Sequence, residues 1–209
     1  MSQFDLNFYK FVKNRQIIPN PIFEISKNEN IKKENLILAA GRLEDYKGFD
    51  IFIKAIAKID PKILKNYKIV IAGDGKQREI LENLAKNLEL NIEFLGFIKD
   101  IQTVYQKAKI VVVTSRAEGF CNILMESIFF DIARISTDCN AGPSELIKDN
   151  FDGFLCRVDD VQQIADKIEI LIKDENLRQK FIKNANLRRK NFTPQEVSQK
   201  WINFIKDSI

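Results

Sequence analysis

Histidine is absent from this chain of 209 residues. Its absence excludes Ser-His-Asp and Cys-His nucleophilic systems, histidine-ligated zinc and any histidine base. Cysteine is scarce and widely spaced, at Cys121, Cys139 and Cys156, without the close pairs of a zinc site or the density of a disulfide scaffold. Chemistry in this protein therefore has to use carboxylates, cations, amides and hydroxyls, and the cysteine content is typical of a reducing compartment.

Long hydrophobic runs and a strong charge of one sign are missing as well. The apolar runs are far shorter than the roughly 18 residues that a membrane-spanning helix needs, and no signal-peptide pattern follows Met1. The 33 basic and 29 acidic residues leave a net charge of +4, spread along the chain, which gives no reason to expect nucleic acid as a partner. Since 45% of the residues are hydrophobic and 30% charged, we expect a cytoplasmic protein with one substantial core.

Short apolar segments alternate along the chain with longer segments of helical period. Nearly continuous apolar strands indicate burial on both faces, and segments 48–59, 76–88 and 120–130 have helical length and spacing. The alternation predicts an α/β fold with a doubly wound, mostly parallel, Rossmann-like sheet of about six strands, followed by C-terminal helices. The predicted strands are LILAAG (36–41), YKIVIAG (67–73), NIEFLG (91–96), IVVVTS (110–115), ARIST (133–137) and GFLC (153–156).

The two ends of the chain depart from this alternation. FDLNFYKFVKNR (4–15) has the spacing of a short amphipathic helix, and IIPNPIFEI (17–25) contains two prolines that suit an extended linker. Toward the C-terminus no further strand signal follows, and we expect two or three helices, the last beginning at Pro194. These patterns divide the chain into an N-terminal segment with a linker remnant, 1–24, and one domain, 25–209.

Two turns are expected to meet where the sheet reverses direction. In the commonest doubly wound strand order the reversal lies between the first and fourth strands, and ligands bind at the carboxyl ends there. The turns are GRLEDYKG (41–48), with Arg42 and Lys47, and SRAEGFCN (115–122), with Gly119 at a helix start. Two cations and helix-start amides would form a diphosphate cradle without a metal. The alternative is that both cations are ordinary solvated side chains among 33 basic residues.

Glycine turns also end the second and third predicted strands, in AGDG (72–75) and FLGF (94–97). A dinucleotide fingerprint is not met, because Gly73-x-Gly75 is followed by Arg78 where the third glycine belongs. There is no Walker lysine loop either, so NAD binding and ATP hydrolysis are not the leading hypotheses. The alternative is that both turns are simply the starts of helices, where glycine is needed only for its backbone conformation.

Two carboxylates stand near the start of the helix after the fourth strand. Glu118 lies close to that start and Glu126 about two turns further, among the apolar residues of EGFCNILMES. Helical side chains lean toward the N-terminus, so both can face a ligand there. Glutamate is seldom buried without a partner, and sugar hydroxyls would serve as donors to Glu126. The alternatives are an ion pair or a rim position for Glu126, and simple helix capping for Glu118.

The motifs and their order resemble those of the retaining, nucleotide-sugar-dependent group 1 glycosyltransferases, which have the GT-B fold. The similarity is to their C-terminal, donor-binding domain and extends from Ile18 to the final helix. AAGRLEDYKGFDIFIKA is similar to the family's G-R-L-x-x-x-K-G segment, and EGFCNILME to its Glu-x7-Glu motif, the most specific of these signals. The resemblance implies that 25–209 is a nucleotide-sugar-binding domain.

The resemblance also implies roles for particular residues. Arg42 and Lys47 would hold the donor diphosphate, and Glu118 would face the transferred sugar; these three are the implied catalytic residues. Glu126 would bind the ribose hydroxyls. The implied donor-binding residues are Gly41, Arg42, Lys47, Gly73, Asp74, Gly75, Gly96, Phe97, Glu118, Gly119, Phe120, Cys121, Asn122 and Glu126.

The activity that the resemblance implies is transfer of a hexose or N-acetylhexosamine from a UDP-sugar to a glycan or lipid-linked acceptor. The pathway would be bacterial surface-glycan biosynthesis. The resemblance implies no cofactor besides the donor substrate and no metal ion. It also implies a cytoplasmic location that includes peripheral contact with the inner face of the membrane.

Two departures from the family pattern leave alternatives open. Phe130–Arg134 replaces a small-Gly-x-Pro turn, and the family's N-terminal acceptor-binding domain has almost no counterpart before the linker. A nucleotide-sugar-binding module or subunit, inactive without a separate acceptor-binding domain, is therefore the alternative, and exposed apolar residues along 4–12 and the last helix would favour it. A sugar-nucleotide epimerase on the same fold also stays open, although such enzymes usually rely on histidines, which this chain lacks.

Overall fold

A computed structural model describes residues 9–11, 13–23, 25, 27–28 and 30–208 of the chain. Within these residues six strands form one sheet in the order β3-β2-β1-β4-β5-β6, and all neighbours pair in parallel. The predicted doubly wound parallel sheet is confirmed, as is the reversal between the first and fourth strands. The strands are β1 (Leu36–Ala40), β2 (Lys68–Ala72), β3 (Ile92–Gly96), β4 (Ile110–Val113), β5 (Ala133–Thr137) and β6 (Phe154–Cys156).

Helices connect the strands and complete the C-terminal part of the described chain. Three of them follow the last strand, as expected, and the final one begins at Pro194. Half of the predicted helix at 4–15 lies outside the described residues, and the described residues of that segment, 9–11 and 13–15, form turns, bends and irregular chain instead of a helix. The helices are α1 (Phe49–Lys58), α2 (Pro61–Leu64), α3 (Arg78–Asn87), α4 (Gln102–Lys107), α5 (Asn122–Phe129), α6 (Pro143–Leu146), α7 (Val161–Lys173), α8 (Glu175–Asn186) and α9 (Pro194–Lys206), with short 3-10 helices at Asp45–Lys47 and Arg189–Phe192.

The alternation of side chains along each strand builds a core on both faces of the sheet. On one face Ile37 packs with Phe52 of α1 and Ile168 of α7. On the other face Leu38 packs with Tyr105 of α4 and with Phe130, which follows α5. Each such side chain that leaves water contributes roughly 1.5 to 3 kcal/mol, which explains why the strands read as nearly continuous apolar runs.

The three helices after β6 begin at residues that cap free backbone amides. The side chains of Asp160 and Asp174 accept hydrogen bonds from backbone N–H groups in the first turns of α7 and α8. Thr193 does the same for α9, and Pro194 occupies the first helical position, where no N–H is needed. These caps account for the observed helix starts.

The turn that replaces small-Gly-x-Pro between α5 and β5 has its own support. Asp131 adopts a left-handed backbone conformation with φ 55°, which aspartate tolerates better than most residues do. Its carboxylate accepts hydrogen bonds from Arg189 at 2.6 Å and from Asn186 at 2.9 Å, and Lys27 pairs with it at 3.2 Å. Hydrogen bonds and an ion pair of the Asp131 side chain thus stabilise a left-handed backbone conformation that glycine would adopt without such support.

The linker runs along the domain rather than away from it. Ile18 is buried, and the N–H of Ile22 donates to the carbonyl of Phe192 at 2.8 Å. The division of the chain at residue 24 stays a prediction. Of the helices formed by the described residues, none combines the length and the apolar character needed to span a membrane.

Candidate functional site

Three glycine turns line up at the carboxyl edge of the sheet. The N–H of Gly41 donates to the carbonyl of Ala72 at 3.0 Å, and the N–H of Gly73 donates to that of Gly96 at 2.8 Å. A Cβ added at Gly73, where φ is +138°, would lie 1.8 Å from the carbonyl oxygen of Gly41. Glycine at position 73 is therefore required by backbone packing, and its presence alone does not identify a ligand.

Gly48 brings the 3-10 helix Asp45–Lys47 against the end of β4. Its φ is +64°, and an added Cβ would lie 2.1 Å from the carbonyl oxygen of Thr114. The Thr114 hydroxyl in turn donates to the carbonyl of Gly48 at 2.7 Å. This close approach places Lys47, the residue before Gly48, beside the loop that carries Glu118.

Lys47 and Glu118 form an ion pair at this junction. Lys47 Nζ lies 2.7 and 2.9 Å from the two carboxylate oxygens of Glu118, and Ser115 Oγ donates to Glu118 Oε1 at 2.6 Å. The side chains are only 20% and 7% exposed. The predicted convergence of the two turns is thus confirmed, and the alternative of a freely solvated Lys47 is wrong.

Arg42 lies at the rim of the site. It is exposed and donates to the hydroxyl of Tyr46 at 3.0 Å, so its role as a diphosphate ligand stays a prediction. Asp74 is engaged already, since it pairs with Arg78 at 3.1 Å and accepts from the N–H of Gly75 at 2.8 Å.

A cavity of about 270 Å³ opens beside Arg42, between the glycine turns and helices α4 and α5. Phe97, from the turn after β3, is 79% exposed at this cavity. The wall that faces Phe97 is largely apolar, which suits a planar ring more than a charged group. The lining residues are Ala40, Gly41, Arg42, Ala72, Gly73, Asp74, Phe97, Ile98, Ile101, Tyr105 and Ile123.

The loop Gly119–Cys121 leads into α5 and leaves open space around it. A Cβ added at Gly119 would meet nothing within 4 Å, whereas one added at Gly142 would lie 3.3 Å from the nitrogen of Cys121. Cys121 precedes the helix without a side-chain cap, and burial raises the pKa of its thiol to about 12. Because that thiol stays neutral, only backbone groups and the exposed Asn122 are suited to contact an anion here.

Glu126 lies half-buried on α5. Burial raises the pKa of this carboxyl, and a hydrogen bond from the Tyr105 hydroxyl acts in the opposite direction on that pKa. The partner of Glu126 is thus a phenol of α4 and not the lysine or arginine of the alternative. Glu126 also lines a cavity of about 530 Å³ between α5 and the linker, together with Asn122 and Gln102.

Two groups of functional side chains were missed by reasoning from the sequence. Arg116 binds Asp50 and Asp159, and its position two residues before Glu118 was the signal that could have singled it out. Arg134 is completely buried in β5 beside Asp152, 3.3 Å away. A cation within the apolar strand segment ARIST was the corresponding signal.

Arg134 lies behind the loop of residues 119–121. Its guanidinium donates to the carbonyl of Leu146 at 2.8 Å and to that of Asp152 at 3.0 Å, and Arg188 also donates to Leu146, at 2.9 Å. Burial lowers the pKa of Arg134 to about 10, so it remains a cation at neutral pH. The two arginines fix α6, which begins directly after Gly142 and so backs the Gly119–Cys121 loop.

Metal ligands were not expected at this site. Among the residues with a described position, no group of three or more cysteine, aspartate or glutamate side chains is arranged to hold a metal ion. Donor binding without a metal stays a prediction.

The sheet order and the cations at its switch point define a Rossmann-like ligand-binding domain. The model of the family "Glycosyl transferases group 1" matches residues 21–188. The chain therefore belongs to the group 1 glycosyltransferase family. This finding confirms the resemblance inferred from the motifs.

This chain is similar to a curated relative in sequence and to a solved domain in structure. The relative, from Campylobacter jejuni, is named "GalNAc-alpha-(1->4)-GalNAc-alpha-(1->3)-diNAcBac-PP-undecaprenol alpha-1,4-N-acetyl-D-galactosaminyltransferase" and is 39% identical over 203 residues, 96% of this chain and 56% of that protein. The structure described as the C-terminal domain of the group 1 family protein LpcC from Francisella tularensis superposes with a TM-score of 0.71 at 29% identity, over 85% of this chain and 97% of that one.

A third similarity concerns the fold alone. Anabaena Alr3699/HepE, solved in complex with UDP, superposes with a TM-score of 0.76 at 23% identity, over 84% of this chain and 49% of that one. This chain spans about half the length of the curated relatives that it matches, 56%, 55% and 48% for three of them. The matched half is the C-terminal, Rossmann-like domain of a GT-B fold.

Proposed function

We propose that this chain is the donor-binding domain of a retaining glycosyltransferase of bacterial surface-glycan biosynthesis. The donor is a UDP-sugar carrying a hexose or N-acetylhexosamine, and the acceptor is a glycan or a lipid-linked glycan. The relative from Campylobacter is named as an N-acetylgalactosaminyltransferase with an undecaprenol-linked substrate, which supports this class of donor and acceptor. Its lipid-linked substrate also supports peripheral contact of the present protein with a membrane.

The observation that carries the proposal is the junction of Lys47, Glu118 and the start of α5. A cation and a carboxylate 2.7 Å apart lie beside the open loop at Gly119, at the carboxyl edge where doubly wound sheets bind ligands. A helix start favours phosphate groups through its free N–H groups and its partial positive charge. A diphosphate placed there meets Lys47 on one side and the α5 amides on the other, with Arg42 at the rim.

These groups act on the charge that develops during transfer. When the bond between the anomeric carbon and the diphosphate oxygen breaks, its electron pair stays on the diphosphate, and the sugar becomes oxocarbenium-like. An acceptor hydroxyl oxygen bonds to the anomeric carbon, and its proton passes to the departing diphosphate. Lys47, Arg42 and the α5 amides stabilise the departing anion, while the carboxylate of Glu118 faces the sugar. Removal of one such electrostatic group raises a barrier by roughly 3 kcal/mol, about a hundredfold in rate. The diphosphate is held without a metal ion.

The nucleoside occupies the cavity between Arg42 and Phe97. Its base packs against Phe97, and backbone groups around Gly96 contact its edge. The ribose extends toward the adjoining cavity that Glu126 lines, since Ile101 lines both cavities. There its hydroxyls donate to the Glu126 carboxylate, which accepts at both oxygens when it is ionised. This arrangement gives the half-buried carboxylate of α5 a function that core packing does not explain.

A second candidate is a nucleotide-sugar-binding module that requires a separate acceptor-binding domain or subunit for transfer. The exposed apolar side chains on α9 favour it, because Trp201, Ile202 and Ile205 are each 45% exposed or more. A stripe of this kind is typical of a surface that another protein domain covers.

Titration of the purified chain with UDP, GDP and UDP-sugars, by calorimetry, tests both candidates. Turnover of a UDP-sugar with a glycan acceptor supports the enzyme, and binding without turnover supports the module. Failure of every nucleotide and nucleotide sugar to bind would refute both. Lys47→Gln should weaken UDP binding about tenfold to a hundredfold. Lys54→Gln, which removes an exposed lysine paired with Asp50 on α1, is the matched control.

A further inference from the structure

Arg116 binds several acceptor groups at once near the site. Nη1 and Nη2 lie 3.0 and 3.1 Å from the carboxylate oxygens of Asp50, and Nε lies 2.9 Å from Asp159 Oδ1. Nη1 also donates to the carbonyl of Asp45 at 2.7 Å. The planar fork of a guanidinium suits such simultaneous contacts, which an ammonium group cannot reproduce.

The partners of Arg116 belong to three separate segments. Asp45 begins the 3-10 helix that ends at Lys47, and Asp50 lies in the first turn of α1. Asp159 stands in the loop between β6 and α7, in a left-handed conformation with φ 61°. The backbone N–H of Arg116 adds a bond to the carbonyl of Tyr46 at 2.7 Å. One residue therefore joins the segment of Lys47 to the loop that carries Glu118.

We propose that Arg116 is a positioning residue whose contacts with Asp45, Asp50 and Asp159 form a clamp. The clamp holds the segment of Lys47 against the loop of Glu118 and thereby places the Lys47 ammonium group at the diphosphate site. The charge of Arg116 is engaged by Asp50 and Asp159, so it acts through Lys47 and not by contact with the donor. Lys47 lies at the end of the clamped 3-10 helix, and Glu118 follows Arg116 on one short loop. Loss of the clamp therefore leaves the Lys47 ammonium group without a fixed position at the diphosphate site. The expected effect of Arg116 on UDP binding rests on the proposed function. The expected effect of Arg116 on the two loops rests only on the geometry of the ligand-free protein.

The first experiment uses the ligand-free chain and needs no knowledge of the donor. Amide hydrogen exchange is compared in the wild type, Arg116→Gln and the control Lys54→Gln, which removes the other cation bound to Asp50. Arg116→Gln should accelerate exchange about tenfold or more in peptides covering 44–48 and 115–119, because local opening becomes easier. The control should leave these peptides unchanged. Unchanged exchange in Arg116→Gln overturns the proposal.

The second experiment is a double-mutant cycle in UDP affinity, measured by calorimetry well below the unfolding temperature of every variant. Arg116→Gln should weaken UDP binding about tenfold in the wild-type background and hardly at all in Lys47→Gln, because residues that act through one another are not additive. An equal loss in both backgrounds shows a general structural role and overturns the proposal. Arg116→Lys keeps the positive charge but lacks the planar guanidinium group, and its UDP binding should stay weaker than that of the wild type. Wild-type UDP affinity in Arg116→Lys would contradict the clamp.

The two experiments separate this proposal from the proposed function. A wild type that binds no UDP refutes the function, and hydrogen exchange then decides the clamp alone. A wild type that binds UDP, with a variant that binds equally well, refutes the positioning role and leaves the function standing.

Discussion

Neutralising Glu118 should strengthen the binding of UDP. In the ligand-free protein the carboxylate holds Lys47 at 2.7 and 2.9 Å, so a diphosphate has to compete with Glu118 for the same ammonium group. Glu118→Gln keeps the shape of the side chain and an oxygen that can accept from Ser115, while it removes the competing charge. Lys47 should then be available to UDP at a lower free-energy cost.

The magnitude follows from the geometry of the pair. At 2.7 Å, an effective dielectric constant of about 20 to 80 gives an attraction of roughly 1.5 to 6 kcal/mol. Desolvation of the two largely shielded groups offsets much of this attraction. Removal of the Glu118 charge should therefore make the free energy of UDP binding more favourable by about 1 to 2 kcal/mol. The dissociation constant of UDP should therefore fall about tenfold.

Isothermal titration calorimetry at fixed low salt provides the assay, with uridine as a ligand that lacks phosphate. Glu118→Gln should bind UDP more tightly and uridine with unchanged affinity, while sugar transfer is lost. Glu44→Gln makes the same charge change in the turn before Lys47 and should shift UDP affinity much less. Weaker UDP binding by Glu118→Gln would refute the reasoning, because Glu118 would then hold Lys47 in place for the phosphate.

Three further predictions concern backbone packing, Glu126 and the buried ion pair. Gly48→Ala should lower the free energy of unfolding by about 1 to 3 kcal/mol in urea titrations, since its Cβ would lie 2.1 Å from the Thr114 carbonyl oxygen. In the control Gly119→Ala the Cβ meets nothing within 4 Å, and the free energy of unfolding should stay unchanged. Protonation of Glu126 should weaken UDP binding on acidification. Glu126→Gln should weaken that binding about tenfold at neutral pH and reduce its dependence on pH. Because the raised pKa of Glu126 makes its charge destabilising at neutral pH, stability should fall as pH rises through that pKa, and Glu126→Gln should raise the Tm near pH 7. Arg134→Met should lower stability by about 3 to 5 kcal/mol, because Asp152 would be left buried and less well paired; a variant as stable as the wild type would contradict this.

Much of the fold could be predicted because the signals are local. The apolar runs of β1, β2 and β4 end within a few residues of the predicted bounds, and Pro194 marks the start of the last helix. Burial on both faces of a parallel sheet leaves few polar residues in a strand. The short helices α2, α4 and α6 were not predicted individually, since four to six residues carry too little periodicity to identify a helix.

The candidate site was predictable in part. The Glu-x7-Glu spacing and the G-R-L-x-x-x-K-G segment singled out Glu118, Glu126, Arg42 and Lys47, because both motifs are local in the sequence. Asp74 was assigned to the donor, yet it is paired with Arg78, which no motif indicates. Arg116 was not assigned a role because its partners lie in two regions, residues 45–50 and residue 159, that are distant from it along the chain.

The sequence by itself determined the alternation of strands and helices and the residue types of the turns between them, because hydrophobic period and turn chemistry act over a few neighbouring residues. Only the tertiary structure decided which charges are partners. Lys47 and Glu118 are 71 residues apart in the chain, and Glu126 has the Tyr105 hydroxyl rather than a cation beside it. The energy of an ion pair or a hydrogen bond depends on distances of a few ångströms and on burial, and both arise only when the sheet assembles.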